Sequence, residues 1–227
     1  MKIYRYLDRG SIRESSTPPS DAVLLTPCVP SKIVCVGRNY AEHAKELGNE
    51  APSEPIIFLK PPSALLAPFG TIVRPAISQR VDHEAELAIV IGKRARDVRA
   101  AQWRDYVLGF TCANDVTARD IQKKDVQFTR GKGFDTFAPL GPCIETELDP
   151  AALQVAARVN GDTRQNGNTR DMIFPCGFLV EFITSVMTLE PGDVILTGTP
   201  SGVGPLQAGD TVEVEIEGIG VLRNPVA

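Results

Sequence analysis

Val81-Asp82-His83-Glu84-Ala85-Glu86-Leu87-Ala88-Ile89-Val90-Ile91-Gly92 is the stretch whose reading decides the fold. Ile89, Val90 and Ile91 favour β-structure and Gly92 ends the run, so the pattern predicts one strand. At period two, Glu84, Glu86, Ala88 and Val90 point to one face, and Ala85, Leu87, Ile89 and Ile91 to the other. Two carboxylates thus stand side by side on an otherwise apolar strand, within roughly 7 Å of each other. Like charges so placed repel and resist desolvation, and a hard divalent cation compensates them most economically. The same pattern also fits a solvent-exposed face with Glu at alternate positions.

The rest of the composition narrows the choice. The chain has 227 residues, enough for one domain with a substantial core, or one domain plus a small appendage. Hydrophobic residues make up 43% and charged residues 23%, an ordinary globular balance. A net charge of -4 with no Lys/Arg-rich run argues against a nucleic-acid groove. No apolar stretch approaches the roughly 18 residues of a membrane span, and Met1 to Gly10 has no apolar signal core. The five cysteines form no C-x-x-C pair, which fits reduced, buried thiols in a cytoplasmic protein better than disulfides or zinc. With only His43 and His83, any metal is held mainly by oxygen, favouring Mg²⁺, Mn²⁺ or Ca²⁺ over Zn²⁺ or Cu²⁺.

Along the chain, residues 1–31 read as a short N-terminal leader with one or two strands and no catalytic signal. Lys32 to Gly37 is a buried-type strand; from Tyr40 to Leu47 the spacing turns helical, and Gly48-Asn49 supplies a stop. His43 and Glu46 share a face of that helix at i and i+3. A carboxylate beside an imidazole fixes its tautomer and raises its basicity, as a general base requires, although such pairs are also common surface ion pairs. The loop from Asn49 to Pro55 could hinge the helix as a lid.

Ile56 to Lys60 reads as a strand, 97–106 as a helix and Val107 to Ala113 as a strand. Thr117 and Asp120 suit a capping box, which leaves Asp115 in the turn between strand end and helix start. Strand ends are common sites for ligand-binding carboxylates, so Asp115 is a natural third ligand, or else an Asp serving only its own turn. Lys132 lies between Gly131 and Gly133, which could let backbone approach a ligand, but the spacing fails the phosphate-loop pattern. Asn160-Gly161 is a hairpin signal, Phe178 to Met187 an amphipathic helix, and Gly198 to Gly204 a glycine-rich loop. Glu213, Glu215 and Glu217 alternate as well as Glu84 and Glu86 do; lacking a partner Asp in a strand-to-helix turn, they read as solvent-facing.

Five blocks occur in one order: Val36 to His43, His83 to Leu87, Asn114 to Asp120, Lys132 to Thr136 and Leu196 to Gly204. Together they resemble the fumarylacetoacetate hydrolase superfamily, over roughly residues 32 to 226. The chain is similar to its short acylpyruvate hydrolase and oxaloacetate decarboxylase members, and to bacterial 2-hydroxyhepta-2,4-diene-1,7-dioate isomerases. The resemblance implies a β-rich α+β fold, a mixed β-sandwich roll of the family's C-terminal domain type with few helices and a lid helix. It assigns residues 32–227 to the catalytic domain and implies a cytoplasmic homodimer, with no nucleic-acid or membrane partner. It implies Mg²⁺ or Mn²⁺ on Glu84, Glu86 and Asp115, with Ca²⁺ able to substitute. His43, Glu46 and Lys132 match the catalytic positions, and Arg38, Arg119, Gln122 and Thr199 the substrate-binding ones.

The implied substrate is a small 2-oxo acid, cleaved or rearranged through an enolate whose charge a divalent cation stabilises. Hydrolysis of a C–C bond in an acylpyruvate-like 2,4-dioxo acid is the favoured expectation, because His43 oriented by Glu46 suits water activation. Dienoate isomerisation and oxaloacetate decarboxylation use the same enolate. A non-catalytic reading also exists: a β domain holding structural Ca²⁺ on Glu84, Glu86 and Asp115.

Overall fold

In the computed structural model, which describes every residue except Leu47 and Asn49, the Val81–Gly92 stretch forms two strands, not one. The break falls at Glu84. In chain order the first strands are β1 (Lys2–Asp8), β2 (Ser11–Ser15), β3 (Val23–Leu24) and β4 (Ile33–Gly37), followed by helix α1 (Ala41–Glu46). Then come β5 (Ile56–Lys60), β6 (Leu65–Leu66), β7 (Val81–His83), β8 (Ala85–Ile91), β9 (Val107–Asn114) and β10 (Thr117–Ala118). Helices α2 (Arg119–Lys124) and α3 (Thr129–Lys132) precede β11 (Ala138–Glu145), β12 (Gln154–Val159) and β13 (Asp162–Asn168). Helix α4 (Cys176–Val186), β14 (Val194–Leu196), β15 (Gly204–Pro205), β16 (Thr211–Ile216) and β17 (Gly220–Pro225) complete the chain.

The large mixed sheet runs β2-β1-β11-β9-β8-β14-β4-β5, with β3 on β1 and β6 on β11. A second sheet runs β13-β12-β16-β17, and a small one runs β10-β7-β15. The period-two reading of the central strand holds on β8, but neither face meets water. Ala85, Leu87, Ile89 and Ile91 enter a core shared with Val155, Val214 and Leu222 of the second sheet and Leu179 and Ile183 of α4. Ala88 and Val90 enter a separate core on the opposite face with Ile33, Cys35, Leu140 and Leu196. A strand buried on both faces reads as the continuous apolar run that Leu87 to Ile91 is. This is a β-rich sandwich with few, short helices, as expected.

Several local expectations change. Residues 97–106 do not form one helix: Asp97 sits in the left-handed region (φ 51), and only Ala100–Tyr106 coils, as a 3-10 turn. The Thr117/Asp120 capping box is absent. The Thr117 hydroxyl donates to the Asp115 carbonyl, while the Asp120 carboxylate accepts from Ser78 and the Gln79 N–H. Tertiary partners claim the Asp120 end of the cap, and a local carbonyl claims the Thr117 end. The helix end read at Leu47, and the Asn49 half of its stop, lie outside the described residues. The Asn160-Gly161 hairpin forms, with positive φ at both positions, as a two-residue turn of this type requires. All five cysteines are buried and free. No helix among the described residues is long and apolar enough to cross a membrane.

Asp193 fixes where the parallel pair β4–β14 begins. Its fully buried carboxylate accepts from the Ser31 N–H and hydroxyl, the Lys32 and Glu190 N–H groups, and the Lys32 ammonium at 2.5 Å. Burial alone would raise its pKa, but these donors hold it below the ordinary carboxylate value. A depressed carboxyl pKa contributes stability above the unfolded value of about 3.9, lost as pH falls through the folded one. Asp193→Asn should therefore cost about 3 kcal/mol near neutrality. Denaturant titrations across a pH series check this: the gap between variant and wild type should narrow below about pH 4.

Candidate active site

The break at Glu84 builds the site. Strands β8 and β9 pair antiparallel with Ala85 opposite Asn114 and Glu86 opposite Ala113, so Asp115, just past the end of β9, arrives beside Glu84. The Asp115 N–H donates to the Glu84 carbonyl and the Glu84 N–H to Asn114 Oδ1, each at 2.9 Å. One carboxylate oxygen from each of Glu84, Glu86 and Asp115 then falls within 4.8 Å of the others. The three residues are 4%, 2% and 2% exposed, which removes the alternative of a solvated Glu face. Glu213 and Glu215, by contrast, pair with Arg223 and Arg158 on the surface side of β16.

Carboxylates at this depth need cations. The Lys132 ammonium lies 2.7 Å from Glu84 Oε2 and 2.6 Å from Asp115 Oδ2. Arg119 pairs with the other Glu84 oxygen and, at 2.9 Å, with buried Asp82. Burial alone would raise the Glu84 pKa, yet Lys132 and Arg119 hold it well below the usual carboxylate range. Lys60, also fully buried, brings its ammonium within 2.5 Å of Asp115 Oδ1 while donating to the Val116 and Lys132 carbonyls.

Glu86 is the exception. It has no cation of its own among the described residues, only the Gly198 N–H at 2.7 Å. Burial, then the charges of Asp115 and Glu84, push its carboxyl well above the ordinary value. Four buried carboxylates (Asp82 included) thus face three buried cations and half-exposed Arg80, which pairs with Asp82 at 2.8 Å; Glu86 alone has no cation paired with it. Asp115 Oδ1 also receives no well-angled hydrogen bond. An oxygen-only, electron-rich triad of this kind fits a hard divalent cation.

Helix α1 covers the triad. His43 Nδ1 stands 3.2 Å from Glu46 Oε2, within hydrogen-bond reach, so the carboxylate can accept an Nδ1–H. Glu46 also accepts the Gly202 N–H at 3.1 Å, which docks the helix against the Gly198–Gly204 loop. At its start the helix is anchored by buried Asn39, whose amide donates to the Thr197 and Phe174 carbonyls and accepts from the Phe174 N–H. The cleft beneath has a volume of about 350 Å³. It is lined by His43, Lys132 and the triad, by Arg38, Arg119, Gln122 and Thr199, and by Phe58, Phe128, Lys123 and Asp125.

Nine of the ten residues expected at the site line this cleft; Glu46 does not, and bears on it only through His43. Two carry further bonds that the sequence does not foretell. Arg119 is committed to Glu84, Asp82 and Gln122, and the Thr199 hydroxyl donates to the Ala85 carbonyl. Gly131 serves packing rather than a ligand, since a Cβ there would lie 2.9 Å from the Gln122 nitrogen on α2. Lys60 and Asp82 escape sequence reasoning. Lys60 ends an ordinary strand, and Asp82 reads as a polar residue beside the louder Glu84.

Fold and cleft together define an enzyme of the β-rich class, its working surface three carboxylates roofed by a His-bearing helix. Residues 32–227 match the family model described as fumarylacetoacetate (FAA) hydrolase C-terminal, and the chain belongs to that family. It is 46% identical over 222 residues to a human mitochondrial oxaloacetate tautomerase, covering 92% of this chain and 71% of that one. Among solved structures, 5-carboxymethyl-2-hydroxymuconate delta-isomerase from Mycobacterium smegmatis superposes with a TM-score of 0.94 at 44% identity, over 100% of this chain and 99% of that one. The 2-hydroxyhepta-2,4-diene-1,7-dioate isomerase of Mycobacterium marinum gives 0.93 at 44% identity, over 100% and 98%.

The charge pattern separates two of the acidic residues. Glu86→Gln replaces the one buried carboxyl that has no cation paired with it, so the metal-free protein should melt at least as high as wild type while Mg²⁺ affinity falls about tenfold or more. Glu84→Gln leaves Lys132 only Asp115 and Arg119 only Asp82, and should lower stability by about 3 kcal/mol. Calorimetric Mg²⁺ titration and thermal melts of both variants, without metal, check this contrast.

Proposed function

We propose that this enzyme acts on small 2-oxo acids and moves a proton at C3, interconverting keto and enol forms, with dependence on Mg²⁺ or Mn²⁺. The observation that carries the reading is His43, backed by Glu46, lining the same cleft as the carboxylate triad and Lys132. The cation, held by Glu84, Glu86 and Asp115, would supply positive charge for the carboxylate and 2-oxo oxygens of the substrate. His43 Nε2 is the base that takes the C3 proton of the keto form and delivers it to the oxygen on C2, running the same transfer backwards from the enol, and Glu46 stabilises the ring while it carries the second proton. Arg38, Gln122 and Thr199 orient the substrate, and Lys132 steadies negative charge as it develops. Docked α1 keeps water from the enol form. The names of the human and mycobacterial relatives, a tautomerase and two isomerases, support proton transfer as the principal activity.

Hydrolysis of an acylpyruvate-like 2,4-dioxo acid is the second reading, favoured by the same His43–Glu46 pair, which could activate a water. Oxaloacetate decarboxylation needs no such base. A purely structural ion site has no use for a histidine dyad and a lysine converging on the triad. The proposal also places the catalytic unit in residues 32–227, joined to residues 1–31 through the β1–β11 pairing, and keeps the homodimer that the family resemblance implies.

Conversion of oxaloacetate enol to ketone, assayed beside acylpyruvate cleavage and dienoate isomerisation, tests this. With Mg²⁺ present, enol–keto conversion should be fastest, should stop with a chelator, and should fall about 10²-fold or more in His43→Ala. Faster acylpyruvate cleavage by wild type would promote the second reading, and inactivity toward all three would remove both.

A further inference from the structure

We infer that Gln165 is a positioning residue of the active site, acting from the second sheet. It is the one buried residue of β13, a strand otherwise polar and turned toward solvent. Pairing of β12 with β13 passes from Ala157–Gln165 to Arg158–Thr163, so Arg164 is bulged out of register. A bulge re-aims the neighbouring side chain, and Gln165 points inward, fully buried.

Its carboxamide is fully used. Oε1 accepts from His83 Nδ1 at 3.0 Å and from the Ala85 N–H at 2.9 Å. Nε2 donates to the Thr199 hydroxyl at 2.7 Å and the Pro200 carbonyl at 2.8 Å. The amide cannot be turned over, because Ala85 N–H can only donate and Pro200 O can only accept. His83 and Ala85 flank Glu84 in the chain, while Thr199 and Pro200 belong to the loop whose Gly202 N–H holds Glu46. One side chain therefore fixes both sides of the strand break against the wall that docks the lid.

The backbones on the two sides are built to meet. Gly202 has φ +97, and a Cβ there would lie 2.1 Å from the Arg164 carbonyl; at Gly167 a Cβ would lie 2.5 Å from Pro200. Such closeness brings Gln165 within reach of the loop. It also makes the orientation of Thr199, and through Gly202 that of Glu46 and His43, depend on the Gln165 amide.

The inference rests on the proposed 2-oxo acid chemistry for its kinetic readout but not for its structural one. Gln165→Glu keeps the size and the accepting oxygen and loses both donors; Gln165→Met loses all four bonds. In the full-length protein, Gln165→Glu should lower kcat/KM about tenfold or more, the scale of two buried hydrogen bonds, through both KM and kcat. Mg²⁺ affinity of the unreacting protein should stay within about threefold of wild type, since the triad keeps its own backbone ties. Hydrogen exchange of residues 198–204 and 41–46 should speed up at temperatures well below the melt. Wild-type kcat, KM and exchange in that variant, with only the melting temperature lowered, would reduce Gln165 to a structural residue and overturn the inference. If wild type converts no 2-oxo acid, the proposed function fails by itself, and the exchange rates and Mg²⁺ affinity still decide Gln165. Should Gln165→Met not fold, Gln165→Glu carries the test.

Discussion

Beneath α1, carboxylates from Asp82, Glu84, Glu86 and Asp115 share a buried volume with the cationic ends of Lys60, Lys132 and Arg119. None of these charges is tolerable alone at that depth, and each is held by partners on a different element. β7 contributes Asp82, the break before β8 gives Glu84, β5 ends in Lys60, and α2 and α3 bring Arg119 and Lys132. The ionic cluster thus works as a seam joining the large sheet to the small one. Its cost in desolvation is offset only when every element is in place, which ties assembly of the site to completion of the fold. The one carboxylate of the cluster without a paired cation is Glu86, which lines the cleft, where an incoming cation could meet it.

Much of this was legible in the sequence, and the reason is periodicity. Alternation separates Glu86, Ala88 and Val90 from Ala85, Leu87, Ile89 and Ile91, and the two cores on either side of β8 divide along it. Asp115 at a strand end and the i, i+3 pair His43–Glu46 are local relations, and local relations survive folding. What escaped depended on distant partners. Asp120 has the place of a capping residue, yet Ser78 and Gln79 claim its carboxylate. Lys60 has no sequence signal at all, because its meaning comes from Asp115, Val116 and Lys132. Gln165 sits in the polar run Asp162 to Asn168, and only the displaced register at Arg164 turns it inward.

The cleft's chemistry follows from a division of labour between side chains and main chain. The reactive groups are the side chains of Glu84, Glu86, Asp115 and His43, whereas their position comes largely from peptide groups: Gly198 N–H on Glu86, Gly202 N–H on Glu46, and the Glu84 and Asp115 backbones on each other and on Asn114. Peptide groups held in a loop pinned by Gln165 and Asn39 have little freedom to reorganise, so the cleft is arranged before a substrate arrives.

The grip on the lid through Gly202 has an evolutionary corollary. A latch made from a peptide N–H has no side chain to lose, so replacements at its neighbours Ser201 and Val203 leave the grip intact. Gly202 itself is confined by the Arg164 carbonyl and its own backbone angle, and cannot drift with them. Divergence among descendants of this chain can therefore alter the loop on either side of Gly202 without retuning the histidine that Glu46 holds.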